Sequence, residues 1–202
     1  MELRNRHPGE TATIVGCGLS ILKLTPADFP AGPVIALNHS ILNVRALGLP
    51  NLVYSQQKDG CILHGPQVQV PINECICPFG PEMVQPVEPE ELVLCWAESS
   101  HCFPLYPRRH VIDVQKDFGL SGWCVSSAPF AVMLAHAMGC TSLRMLGHDA
   151  YTTGDTGRIP GSATEVDPAT GVNLEGIKTG YRLSGESAQW IAEKFEMAVE
   201  WV

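Results

Sequence analysis

Thr13-Ile14-Val15-Gly16-Cys17-Gly18-Leu19-Ser20-Ile21-Leu22 passes from an apolar, β-branched run through a Gly-x-Gly turn into Ser20 and a second apolar stretch. That order is the one expected of a strand, a tight turn, then a helix or loop. Glycines let backbone N–H groups approach a ligand with no Cβ in the way, and a helix N-terminus adds partial positive charge. The place therefore suits a phosphate or carboxylate. The full dinucleotide fingerprint needs a third glycine where Leu22 stands, and no Walker lysine follows. A tight βα turn without a ligand explains the same residues.

Downstream, Pro33-Val34-Ile35-Ala36-Leu37 reads as a second strand ending at Asn38-His39-Ser40, with a short helix over Ile41 to Leu47. Asn38 would place an amide at the carboxyl edge of the sheet; capping the helix is its alternative role. Asn51 to Ser55 is a third strand, followed by Gln56, Gln57, Lys58 and Asp59-Gly60. Strands alternating with helices point to a parallel sheet, because parallel neighbours need crossover connections. Between Cys61 and Arg109 the pattern loosens, with strands read at Gln67 to Val70 and Leu92 to Trp96, and Arg108-Arg109-His110 is a small basic cluster, surface charge by default with anion contact as the alternative.

Ser126 to Met138 is the strongest helical segment. It is apolar almost all round, so it should lie buried against the sheet, with His136 as a core histidine and Ser126 and Ser127 near its N-terminus, where hydroxyls and free N–H groups cap the helix or bind an anion. Ser142 to Leu146 is a further strand, breaking at Gly147-His148-Asp149-Ala150-Tyr151 and so presenting a carboxylate at the same edge. Thr152 to Gly185 is rich in turn residues and reads as a long loop, with 148–185 a lid insertion; Glu186 to Trp201 reads as a closing amphipathic helix. The whole is a single α/β, Rossmann-like domain over residues 1–202, a mostly parallel central sheet with helices on both faces.

With 202 residues, 45% of them hydrophobic, the chain can build one substantial core. Its net charge of −8 argues against a duplex nucleic-acid partner, since no surplus of Lys and Arg exists to displace counterions. It leaves room for a small anionic ligand, which needs only a local positive site. A polar start, Met1 to His7, lacks the apolar core of a secretory signal, and no stretch is long enough to span a bilayer; a cytoplasmic protein is expected. A homo-oligomer is compatible with the composition. Of the eight cysteines, Cys95, Cys124 and Cys140 sit in apolar runs as buried thiols would. Cys75, Cys77, Cys95 and His101-Cys102 could supply zinc ligands, but their spacing matches no standard zinc motif, and no metal site is assigned.

Two blocks resemble one superfamily. Ile14 to Ile21 is similar to the Gly-Asn-Gly-Pro-Ser-Leu motif of bacterial sialyltransferases and of the related domain in archaeal 6-hydroxymethylpterin diphosphokinases, and Asn38 matches the Asn that follows in both. Ser127, Ala135 to Gly139 and Leu143 to Tyr151 resemble their Ser-rich helix, turn, and strand ending Gly-x-Asp-x-Tyr. The resemblance implies a nucleotide at the carboxyl edge of the sheet: CMP carrying sialic acid in the transferases, ATP with magnesium in the pterin enzymes. Carried over by position, Gly16, Cys17, Gly18 and Ser20 would then sit by phosphate or ribose, Asn38 and Ser127 would contact nucleotide, Asp149 would orient or bind its ligand and Tyr151 would stabilise a phosphate. Beyond the resemblance, Asp149, Tyr151 and Asp155 are the catalytic candidates and Arg158 a further phosphate contact, and in a diphosphokinase Asp149 and Asp155, with Asp59, would hold magnesium. Cys17 and Leu19 replace the family's Asn and Pro, and no histidine occurs after His148, where the transferases carry their general base; Leu183-Ser184 occupies that place. A nucleotide-sugar-dependent transferase, a magnesium-dependent diphosphokinase and a non-catalytic nucleotide-binding member are the three functions these residues allow.

Overall fold

A computed structural model describes residues 2–57, 90–94, 108–119, 126–155 and 174–202. Among them, β1 (Thr11–Val15), β2 (Val34–Leu37), β3 (Val53–Gln57), β4 (Glu91–Leu94), β5 (Arg109–Val111), β6 (Ser142–Leu146) and β7 (Ala198–Trp201) form one seven-stranded sheet in the order β5-β4-β3-β2-β1-β6-β7. Every neighbouring pair is parallel. The helices are α1 (Ser40–Ala46), α2 (Val114–Phe118), α3 (Ser127–Ala137), α4 (Asp149–Thr152) and α5 (Leu174–Lys194). This is the expected Rossmann-like α/β architecture.

The alternation of side chains along each strand divides the core in two. Ala12, Ile14, Ile35, Leu37, Tyr54, Val93, Leu143 and Met145 face α3 together with Ala188 and Ala192 of α5. Val15, Val34, Ala36 and Leu146 face the other way, onto Ile41 and Val44 of α1 and onto Ile21 and Phe29. Because all strands run the same way, their carboxyl ends share one edge. The chain leaves β1 for β2 on one side and returns as β6 on the other. The carboxyl ends of β1 and β6 therefore flank the topological switch point, the usual ligand crevice of open α/β sheets.

Of the helix or loop that the sequence allows after the Gly-x-Gly turn, the structure has a five-residue 3-10 helix, Leu19–Lys23, followed by Pro26 and a second 3-10 turn, so no long helix dipole points at the turn. Three sequence readings need correction. The reading of one long loop gives way to helix in two places, α4 and the stretch of α5 from Leu174; residues 156–173, where the rest of the expected lid and Arg158 fall, lie outside the described residues. The glycines that suggested a loop have another use: Gly185 sits where a Cβ would overlap the Tyr151 ring, so it lets α5 close onto α4. The closing helix stops at Lys194, Glu196 takes the left-handed conformation (φ 55), and Ala198–Trp201 pairs with β6 as an edge strand. Its alternation, Val199 and Trp201 half-buried against exposed Ala198 and Glu200, has period 2 and not 3.6. Trp190, read as part of an apolar stripe, is 59% exposed.

Two polar residues also differ. His136 is exposed and stacks on Phe195 at 3.9 Å between ring centroids. His110 belongs to β5 and binds the buried Glu91 carboxylate at 2.7 Å, which also accepts both guanidinium nitrogens of Arg6. Burial pushes the Glu91 carboxyl up, and Arg6 and His110 together outweigh it, leaving it below its ordinary value. Asp59, the strand read at Gln67 to Val70 and the cysteines weighed as zinc ligands lie outside the described residues.

Candidate functional site

The site is built where chain segments cross the carboxyl edge. At the switch point the turn after β1 packs directly onto the turn after β6. The Gly16 amide donates to the Leu146 carbonyl and the Gly18 amide to the Gly147 carbonyl, both at 2.8 Å. A Cβ on Gly16 would overlap the Gly147 carbonyl, and one on Gly18 would lie 2.6 Å from the Asp149 carboxylate. Glycine is required here for close approach of two backbones, since Gly18 itself has an ordinary φ of −70.

Asp149 is buried, at 6% exposure, and starts the single turn of α4. Its Oδ2 accepts the Ser20 amide at 2.8 Å and its Oδ1 accepts the Ser20 hydroxyl. Three donors that could have met an anion, the amides of Gly16, Gly18 and Ser20, thus point into the protein. Cys17 is buried and donates its thiol to the Leu37 carbonyl at 3.2 Å, which joins the turn to the end of β2. Tyr151 is half-buried, its ring 4.4 Å from that of Trp201 on β7. Asp155 is exposed, and its amide donates to the Thr153 hydroxyl at 3.3 Å.

One strand over, the edge is more open. Asn38 adopts the left-handed conformation, φ 49, which Asn tolerates better than most side chains. This bend turns the chain from β2 into α1 and leaves Asn38 partly exposed beside the first turn of α3. Its Nδ2 donates to the Ser127 hydroxyl at 3.3 Å, and Gln57 Nε2 donates to the Asn38 carbonyl at 3.1 Å. Gln56 Nε2 donates to the Ser127 carbonyl at 2.9 Å, which fixes the orientation of the amide. Its Oε1 is then a buried acceptor with no hydrogen-bond partner among the described residues. Ser126, at the N-cap of α3, makes no capping bond to the helix; its hydroxyl pairs with that of Ser184 on α5 at 2.6 Å. The first turn of α3 therefore offers backbone N–H groups not capped by Ser126.

The structure brings Gly16, Cys17, Gly18, Ser20, Asn38, Ser127, Asp149 and Tyr151 to the same edge of the sheet. They form two regions: a sealed seam between β1 and β6, and a polar rim from β2 to α3 where Asn38 and Ser127 are partly exposed beside the buried Gln56 and Gln57. Ser126, read from the sequence with Ser127 as a helix cap or anion contact, joins the second region, and so do Gln56, Gln57 and Ser184, which were not singled out as ligands. The signal for the glutamines was their place directly after the strand read at Asn51 to Ser55, which the structure extends to Gln57; Ser184 stood out only as occupying the place of the resembled transferases' histidine, and only the fold brings α5 against α3. Among the described residues no group of three or more His, Cys, Asp or Glu could hold a metal ion, and no helix is long and apolar enough to cross a membrane.

No protein-family model matches the chain, and comparison with curated proteins and with solved structures finds no significant match.

Proposed function

We propose that this chain is a nucleotide-sugar-dependent transferase-like protein that holds its nucleotide along the carboxyl rim from Asn38 to Ser127. The observation that carries the reading is the contact between those two side chains. They come from separate blocks of the resemblance to sialyltransferases, and they meet next to the first turn of an eleven-residue helix. That turn supplies N–H donors and partial positive charge for a phosphate or carboxylate. Gln56 Oε1 adds a fixed acceptor for an N–H or O–H of the ligand. The glycine turn after β1 then has the task of holding Asp149 and Ser20 together, giving the pocket one rigid wall.

For glycosyl transfer, the acceptor oxygen would attack the sugar's anomeric carbon as the bond to the nucleotide phosphate breaks. The acceptor proton would pass to a carboxylate, and the departing phosphate would be met by Tyr151 or Arg158. Both Asp149 oxygens already accept hydrogen bonds from Ser20, and no histidine follows His148. These two facts favour a second reading, in which the chain binds a nucleotide without turning it over. A diphosphokinase would instead hold magnesium through Asp149 and Asp155.

Thermal unfolding in the presence of CMP, UDP, ATP and GDP, with and without magnesium, separates these functions, because a ligand that binds only the native state raises stability by RT ln(1 + [L]/Kd). Metal-independent stabilisation by CMP or UDP is expected. Stabilisation by ATP only with magnesium would replace the transferase reading with the diphosphokinase. No shift with any nucleotide would defeat nucleotide binding altogether.

A further inference from the structure

Helix α3 presents a mechanical problem. Ala128 to Ala135 are all buried and all apolar apart from their backbone, so what surrounds the helix barrel is hydrophobic contact. Such contact is close-packed but non-directional. The directional bonds that fix the axial position of α3, and with it the position of Ser127, lie at its two ends.

At the C-terminal end the helix closes on itself in part: Gly139, at φ 89, donates to the His136 carbonyl and Cys140 to that of Ala135. The carbonyls of Ala137, Met138 and Gly139 remain, and the segment 2–10 satisfies all three, through the amides of Asn5 (2.9 Å), His7 (2.7 Å) and Gly9 (2.8 Å). That segment is itself pinned to the amino edge of the sheet. Leu3 is fully buried, Arg6 binds Glu91 through two nitrogens at 2.5 and 2.6 Å, and His7 Nε2 pairs with the Tyr54 hydroxyl at 2.8 Å. At the N-terminal end α3 is held by Asn38, Gln56 and Ser184.

We propose that residues 2–10 form a strap that sets the axial position of α3, so that whether Arg6 is docked on Glu91 at the amino edge is felt at Ser127 on the carboxyl rim. The bistable element is the strap, docked or released, and α3 is the rigid link between the two edges. The device concerns the position of a helix and does not rest on the nucleotide reading.

Hydrogen exchange read by mass spectrometry or NMR tests it in two ways. In the unmodified protein, the amides of His7 and Gly9 and those of Phe130 and Ala131 should exchange through one sub-global opening, sharing a denaturant slope smaller than that of global unfolding. In the variant Arg6→Lys, which keeps the charge and loses the two-nitrogen grip, exchange at both groups should rise by about tenfold while β6 is unchanged. Faster exchange confined to the strap and residues 137–141 would overturn the proposal, making the strap a local helix cap. A uniform rise across the whole chain would overturn it too, since it reports only lost global stability. If Arg6→Lys does not fold, the measurement on the unmodified protein decides: separate slopes for the two groups contradict the coupling.

Discussion

Ser20 and Asp149 are tied by two hydrogen bonds across the switch point of the sheet, the Ser20 amide and hydroxyl each donating to a different carboxylate oxygen. The pair lies 129 residues apart in sequence and joins the turn after β1 to the turn after β6. Removing the carboxylate leaves the Ser20 amide without its acceptor, and Asp149→Ala should lower stability by about 1–3 kcal/mol, with Asp149→Asn less severe because it keeps an acceptor oxygen. Urea unfolding at pH 7 measures this. A stability of Asp149→Ala within 0.5 kcal/mol of the parent, on the order of error for a surface site, would refute the structural role.

Gly18 has a backbone conformation any residue can adopt, so Gly18→Ala isolates a purely steric effect. Its Cβ would fall 2.6 Å from the Asp149 carboxylate and 2.8 Å from the Gly147 carbonyl. Overpacking of this kind costs about 1–3 kcal/mol. Combining Gly18→Ala with Asp149→Ala removes one of the two clashes, and the double variant should lose less than the sum of the single losses. Strict additivity would show that the two residues do not share this contact.

Glu91 makes the fold sensitive to acid. Its carboxyl gives up its proton more readily in the folded chain than in the unfolded one, because Arg6 and His110 outweigh the effect of burial. The stabilisation is complete above the ordinary value of 4.5 and is lost as the pH falls through the lower folded value. The urea midpoint should therefore fall steeply with acid below that value in the parent and less steeply in Glu91→Gln, which should also be the weaker protein at pH 7. Parallel pH profiles for the two would show that Glu91 does not contribute to the acid dependence.

Cys140 gives the opposite dependence at high pH. Burial pushes its thiol from an ordinary 9.0 up to about 12, so the unfolded chain ionises first and stability falls as the pH rises between those values. The native thiol is accordingly inert. Iodoacetamide at pH 8 should leave Cys140 unlabelled for as long as the chain is folded, and denaturant should expose it; peptide mapping that finds Cys140 labelled at the rate of an unfolded thiol would contradict its burial.

The parallel sheet was legible because its strands are short, largely apolar runs separated by glycine or proline, so that Thr13 to Val15, Val34 to Leu37 and Ser142 to Leu146 stand out locally. The end of the chain was not. Glycine at 180 and 185 reads as loop in a sequence, and only the tertiary contact with Tyr151 shows why a helix would carry it. The strand Ala198–Trp201 was absorbed into the preceding helix because four residues are too few to separate a period of 2 from one of 3.6. At the candidate site, Asn38 and Ser127 could be singled out from their positions at element ends. Their contact with each other, the hold of Asp149 on Ser20, and the Arg6–Glu91–His110 cluster depend on residues distant in sequence, and no local pattern signals them.

The most direct measurement is calorimetric titration of the protein with CMP, and with UDP and ATP in parallel, followed by the same titrations on Ser127→Ala and on Asn38→Gly, in which glycine keeps the left-handed bend. Saturable binding of a nucleotide to the parent, weakened about tenfold or more in each variant while its melting temperature stays near the parent's, is the predicted result. Absence of binding to the parent, or binding untouched by both substitutions, would contradict a nucleotide site on the rim between Asn38 and Ser127.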